Sequence, residues 1–173
     1  MRIILKGSVL MLGALLGSCA TDSPSDGPAA TSPSGAYLEL RGADGSGGLA
    51  VGADGLVRAG LYVGHVVDMR TIGVRVQIEG ARLVEWQRVD GWLTSNGGQV
   101  LQLAGGPSDS GLELTLATTR AVSAPDKAAL LATLTLRPTA AAALLSLDVS
   151  GPNRGVIAAS GRRFDVTTLG ATF

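Results

Sequence analysis

"GLELTLATTRAVSAPDKAALLATLTLRP", Gly111 to Pro138, alternates apolar and polar residues twice, with a polar break between the two runs. From Gly111 to Thr119, Leu112, Leu114 and Leu116 share one side of an extended chain, and Glu113 and Thr115 share the other. From Leu130 to Arg137, Leu130, Ala132, Leu134 and Leu136 oppose Leu131, Thr133 and Thr135. A period of two sets one side on a core and the other toward water, which is the pattern of half-buried antiparallel strands. Pro138 has no amide hydrogen to give a ladder and closes the second strand.

The same text extends in both directions. "YLEL" (37–40), "LYVGHVVDM" (61–69), "GVRVQI" (73–78), "QVLQL" (99–103), "LLSLDV" (144–149), "GVIAAS" (155–160) and "FDVTTL" (164–169) are short, rich in Val, Leu and Thr, and separated by Gly, Asp, Pro or Asn. Together they predict an all-β, antiparallel two-sheet β-sandwich of jelly-roll type with about nine strands. Ala140 to Leu145 also fits a helix by alanine propensity, but "LLSLDVSG" continues straight into alternation, so a strand is expected there. "GADG" occurs at Gly42 to Gly45 and again at Gly52 to Gly55. Asp-Gly pairs favour tight turns because glycine takes positive φ cheaply, so two turns flanking a short strand "GGLAV" (47–51) are expected. A calcium loop is the sharper alternative, but each loop carries one aspartate and lacks a properly spaced bidentate glutamate.

Arg2 and Lys6 open the chain, an apolar stretch from Gly7 to Gly17 follows, and small residues lead to Cys19, the only cysteine. That stretch is too short to span a bilayer and has the layout of a cleaved secretory signal. The run Leu16, Gly17, Ser18, Cys19 resembles the bacterial lipobox, which implies a signal over 1–18 and a diacylglyceryl group on the Cys19 sulfur. Each buried methylene of such a chain contributes about 0.8 kcal/mol, and two or more chains anchor a protein firmly. The alternative is an ordinary secretory peptide with Cys19 left as a free thiol. Ala20 stands where aspartate would suggest retention in the inner membrane, so the outer membrane is the expected address. Residues 19–35 contain no large apolar side chain and are expected to be a disordered tether for a single domain over 36–173.

Loss of Arg2 and Lys6 with the signal leaves twelve basic residues against fourteen acids, so there is no basic field for nucleic acid. Only 3% of residues are aromatic, and aliphatic side chains must therefore fill the core. The inventory for catalysis is thin. His65 is the only imidazole, and three residues along a strand would put it on the face opposite Asp68. Gly45, Gly47 and Ala50 match a dinucleotide fingerprint in spacing but lack the strand-to-helix junction that gives it meaning. Zinc would find too few nitrogen and sulfur ligands. Asp109 with Glu113 is an unremarkable carboxylate pair for a surface. The residues therefore predict neither an enzyme nor a cofactor or metal site.

From Gly60 to Val166 the order of segments resembles a cohesin domain, a β-sandwich module of the carbohydrate-binding superfamily. The resemblance rests on "IGVRVQIEGARLVEWQRVDGWL" (72–93), on the 111–138 stretch, and on "LLSLDV" with "GVIAASGRRFDV" (155–166). It implies a nine-stranded jelly roll used as a non-catalytic attachment module. Glu79, Gly80 and Ala81 stand where family members often carry a Tyr-Asp-Pro turn, and no residue of the family's binding face is carried over. The expected partner is a polysaccharide or an envelope or secreted protein, with the membrane reached through lipid on Cys19. Sugar recognition on such a sandwich uses exposed aromatic faces, for which Trp86, Trp92 and Tyr62, with Tyr37, are the candidates. The competing role for both tryptophans is to fill the core or cap a sheet edge. An alternative function is a structural envelope or secretion-complex component that docks by a sheet edge.

Overall fold

The structure, a computed structural model, describes residues 34–124 and 126–173. The expected signal, Cys19 and all but the last two residues of the expected tether lie outside them. The described chain forms eleven strands and no helix: β1 (Tyr37–Gly42), β2 (Val57–Gly64), β3 (Val66–Glu79), β4 (Ala81–Arg88), β5 (Val100–Ser108), β6 (Gly111–Ala124), β7 (Ala129–Pro138), β8 (Leu144–Asp148), β9 (Gly155–Ala158), β10 (Thr167–Leu169) and β11 (Ala171–Thr172). One sheet has the order β10-β1-β2-β7-β4 and the other β11-β8-β3-β6-β5. β9 joins the second sheet beside β3, which pairs β9 along its first half and β8 along its second. The strands are two more than expected, and one pair, β1 with β10, is parallel.

Leu38, Leu61, Ile72, Leu112, Leu114, Leu116, Leu134, Leu136 and Leu145 meet between the sheets and are almost wholly buried. The alternation that predicted β6 thus puts its leucines where expected. In β7 the alternation breaks at a bulge. Leu61 pairs Ala132 but Tyr62 pairs Leu130, so Leu131 is an extra residue. An extra residue reverses which side the following residues face. Leu131 therefore joins the core, fully buried, and Leu130 turns outward, the opposite of the simple reading.

Three crossings between the sheets take one residue each: His65 between β2 and β3, Gly80 between β3 and β4, and Gly170 between β10 and β11. "LYVGHVVDM" is thus two strands in two different sheets, not one. His65 adopts φ 53 and Asp68 φ 59, left-handed values uncommon outside glycine. Such a corner lets a strand leave one sheet and enter the other without a loop. Gly80, at φ 71, has no room for a Cβ beside the Ala142 carbonyl, and its own carbonyl accepts from the Thr139 and Ala140 amides.

Both "GADG" segments are turns, each closed by the second glycine's amide donating to the first glycine's carbonyl at 2.9 Å. The intervening "GGLAV" is not a strand, since only Val51 makes an isolated bridge, to Val57. Ala140 to Ala143 is neither strand nor helix but a bend, and β8 begins at Leu144.

Candidate functional site

The outer face of the five-stranded sheet holds both tyrosines, and it is closed where they lie. Tyr62 is 6% exposed and Tyr37 4%. In "GLYVG" Gly60 and Gly64 lie two residues to either side of Tyr62, so all three share one face. Cβ atoms on these glycines would collide with the rings of Tyr62 and Tyr37 respectively. The Arg41 guanidinium covers the other side of the Tyr62 ring at 4.2 Å. The Tyr62 hydroxyl donates toward the Gly42 and Ala43 carbonyls at 3.2 and 3.1 Å, tying the first turn to the sheet. The expectation that Tyr62 offers a stacking platform is therefore corrected: both of its faces are taken. His65 lies edge-on to Tyr37 at 5.4 Å.

The twin turns frame a recess of about 260 Å³ lined by Asp44, Ser46, Leu56 and Arg58 among glycines and alanines. Their aspartates are spent on the turns themselves. Asp44 accepts from the Ser46 amide and Asp54 from the Leu56 amide, at 2.9 and 3.1 Å. The Ser46 hydrogen bonds hold the Asp44 carboxyl below its ordinary range, and the hydrogen bond from Arg58 does the same for Asp54. Among the described residues no three His, Cys, Asp or Glu side chains gather as a metal site would require.

Trp86 pairs in register with Leu134 and so shares its inward face; its ring packs on the rim of the core. That is the core role the sequence also offered it, and Trp92 too is half-buried and packed against the core. It sits on the turn after β4, where Arg88 clamps Asp90 with two bonds of 2.5 and 2.7 Å and the Thr94 amide and hydroxyl return to the Asp90 carbonyl. Leu93 plunges into the core beside it. The Trp92 indole N–H donates to the Ser123 carbonyl at 2.9 Å, and the ring walls a recess of about 380 Å³ with Ser123, Ala124, Asp126, Lys127, Ala128 and Ala129.

The outer face of the six-stranded sheet is covered at Gly73 by Asn153 and exposed toward its β5 edge, and sequence reasoning missed it. Glu113 of β6 lies opposite Arg75 of β3, which lies opposite Asp148 of β8. Arg154, after β8, joins them: it reaches Glu113 at 3.2 Å and also pairs Asp148, while Arg75 reaches Glu113 at 3.5 Å. The hydrogen bond from Arg154 pulls the Glu113 carboxyl below its ordinary range, and hydrogen bonds from Ser150 do so for Asp148. Glu113 is thereby committed to arginines and does not pair with Asp109. Toward the β5 edge, Leu101 and Leu103 are 49% and 62% exposed. Leu101 pairs Ala117 on the outward side of β6, Gln102 turns the other way toward Arg88 of β4, and Leu103 is the extra residue of a bulge, left exposed. Leu144 is exposed at the diagonal corner of the same face. The available signal was "QVLQL", a strand with leucines on the side opposite the half-buried Val100.

No protein-family model matches the sequence, and no curated protein matches it. Solved structures do. A non-cellulosomal cohesin from the hyperthermophilic archaeon Archaeoglobus fulgidus superposes with a TM-score of 0.57 at 11% identity, over 80% of this chain and 89% of that one. The fold is that of a cohesin. The sixth cohesin of scaffoldin B from Acetivibrio cellulolyticus, solved in complex with a Cel5 dockerin, gives 0.57 at 12% identity over 80% and 96% of the two chains. A Clostridium acetobutylicum cohesin-like neighbour, CaCohA2, gives 0.53 at 14% over 80% and 90%. At such identities the cohesin likeness fixes the two-sheet architecture, as the resemblance implied.

Proposed function

We propose that this chain is a non-catalytic, lipid-anchored attachment module that holds a partner protein on the outer face of its six-stranded sheet. The observation that carries the reading is the exposed pair Leu101 and Leu103 beside the neutralised cluster of Arg75, Glu113, Arg154 and Asp148. Exposed aliphatic groups supply the area that drives association, and internally paired charges lower the cost of covering them. A dockerin bound to one cohesin neighbour supports a protein as the occupant. The layout of 1–18 as signal, Cys19 as lipidated residue and 19–35 as tether supports display of the domain from the bacterial envelope, at the outer membrane. No step of chemistry is assigned to His65, the only imidazole, which forms a backbone corner against Tyr37.

The test is cross-linking in the native envelope with the full-length protein, comparing wild type with the Leu101→Arg, Leu103→Arg double variant and with Val84→Arg on the other sheet. One envelope protein recovered with wild type and Val84→Arg but lost with the double variant supports the reading; equal recovery by all three overturns it. A Cys19→Ser variant that still incorporates radioactive fatty acid ends the lipid anchor separately. A second reading, docking by strand addition, is favoured by the position of β5 at the sheet edge, where only β6 pairs it among the described strands. Proline introduced at Leu101 would then abolish recovery although Leu101→Arg does not.

A further inference from the structure

We propose that the recess beside Trp92 is a subsite for one ring of a neutral saccharide, separate from the protein-binding face. It gives the expected polysaccharide a single place on the molecule, at the end of the sandwich where the chain passes from β6 to β7.

Four features converge there. The volume of about 380 Å³ falls in the lower part of the usual range for small-ligand sites, about 300–1,000 Å³. Much of the lining comes from apolar residues, Trp92 with Ala124, Ala128 and Ala129. Asp126 and Lys127, both exposed, add hydrogen-bond acceptors and donors to the lining. One acid and one base leave no net charge to select an anion or a cation. A sugar ring has the matching anatomy, with a face of C–H groups to lie on an aromatic ring and a rim of hydroxyls that both donate and accept.

The platform is also fixed before any ligand arrives. Its N–H is held by the Ser123 carbonyl, its neighbour Leu93 is locked in the core, and the Arg88–Asp90 clamp holds the turn that carries it. A ring that need not be ordered on binding loses less entropy. Tyr37 and Tyr62 lack this combination because they are buried, and Trp86, half-buried like Trp92, is not among the residues that line the recess.

The experiment follows the Trp92 indole ¹H–¹⁵N resonance in the full-length protein in detergent, assigned through Trp92→Phe. The probes are hexasaccharides of β-1,4-glucose, β-1,4-xylose, β-1,4-N-acetylglucosamine and α-1,4-glucose, with a leucine- and proline-rich peptide beside them. Support is a saturable shift of Trp92 with at least one hexasaccharide, abolished by Ala128→Phe, which fills the recess. Lys127→Ala, at an exposed position, should weaken the same titration about tenfold without filling anything. The proposal fails if no hexasaccharide moves Trp92, if the peptide moves it instead, or if both variants titrate like wild type. The Leu101→Arg, Leu103→Arg double variant should keep the sugar shift, so loss of one site is distinguishable from loss of the other.

Discussion

The two outer faces of this sandwich are built from the same kind of strand and end in opposite conditions. On the five-stranded sheet two tyrosines lie down on glycines of their own and the neighbouring strand, and Arg41 covers one of them. On the six-stranded sheet the centre is filled by four charged side chains that neutralise one another, and leucines stand at the margin in water. The tyrosines therefore mark the closed part of one face, and exposed leucines mark the β5 margin of the other. An aromatic residue in an aromatic-poor β protein is needed first for packing, so exposure, not residue type, identifies the surface available to a partner.

The contrast breaks most visibly at Gly64. A Gly64→Val change would push the Tyr37 ring off the sheet and is expected to destabilise the fold by about 3 kcal/mol, the upper part of the overpacking range, measured by urea denaturation. A loss below about 0.5 kcal/mol would mean that the closed face is loosely packed after all. Next in size is Tyr62→Phe, which removes the hydroxyl that ties the sheet to the first turn and takes that donor from the Ala43 carbonyl, while the Gly42 carbonyl keeps the Gly45 amide. About 1 kcal/mol should be lost, with faster amide exchange at Gly45 as the local sign. On the open face Leu103→Ser should leave stability within about 0.5 kcal/mol of wild type, because its side chain is already in water; a larger loss would place Leu103 in the core.

The smallest expected effect is an acid one. Glu113 and Asp148 have carboxyls held below their ordinary range by hydrogen bonds and arginines, so their contribution is present above about pH 4 and is lost as pH falls through the lowered folded values. Both are solvent-accessible, and salt should screen the effect. Thermal unfolding from pH 5 to pH 2 should show a steeper decline in wild type than in Glu113→Gln, and identical slopes would remove the cluster from the stability of that face.

Sequence made the sheets legible wherever alternation ran unbroken, as in β6, and it made both Asp-Gly turns legible because positive φ has few residues that tolerate it. It failed where a single residue changes direction. Leu131 and His65 are ordinary letters in an alternating text, yet one inserts a bulge and the other turns a corner, and both events are decided by the strand on the far side of a pairing. Tyr62 was misread for a related reason: its burial depends on Arg41, which is distant in sequence. The glycines flanking Tyr62 at two-residue spacing were the one local clue. Trp92 could be placed after a turn from sequence, but the Ser123 carbonyl that fixes it, thirty-one residues away, could not be foreseen.

The parallel pairing of β1 with β10 has a mechanical consequence. β1 is the first strand after the amino-terminal segment, and it is clasped on both sides, by β10 over three residue pairs and by β2 over six. A pull entering through residues before Tyr37 runs lengthwise along that strand and strains the rungs on both flanks together, instead of peeling them open one after another. With Cys19 as the anchor proposed above, the load would enter through a strand held on both sides.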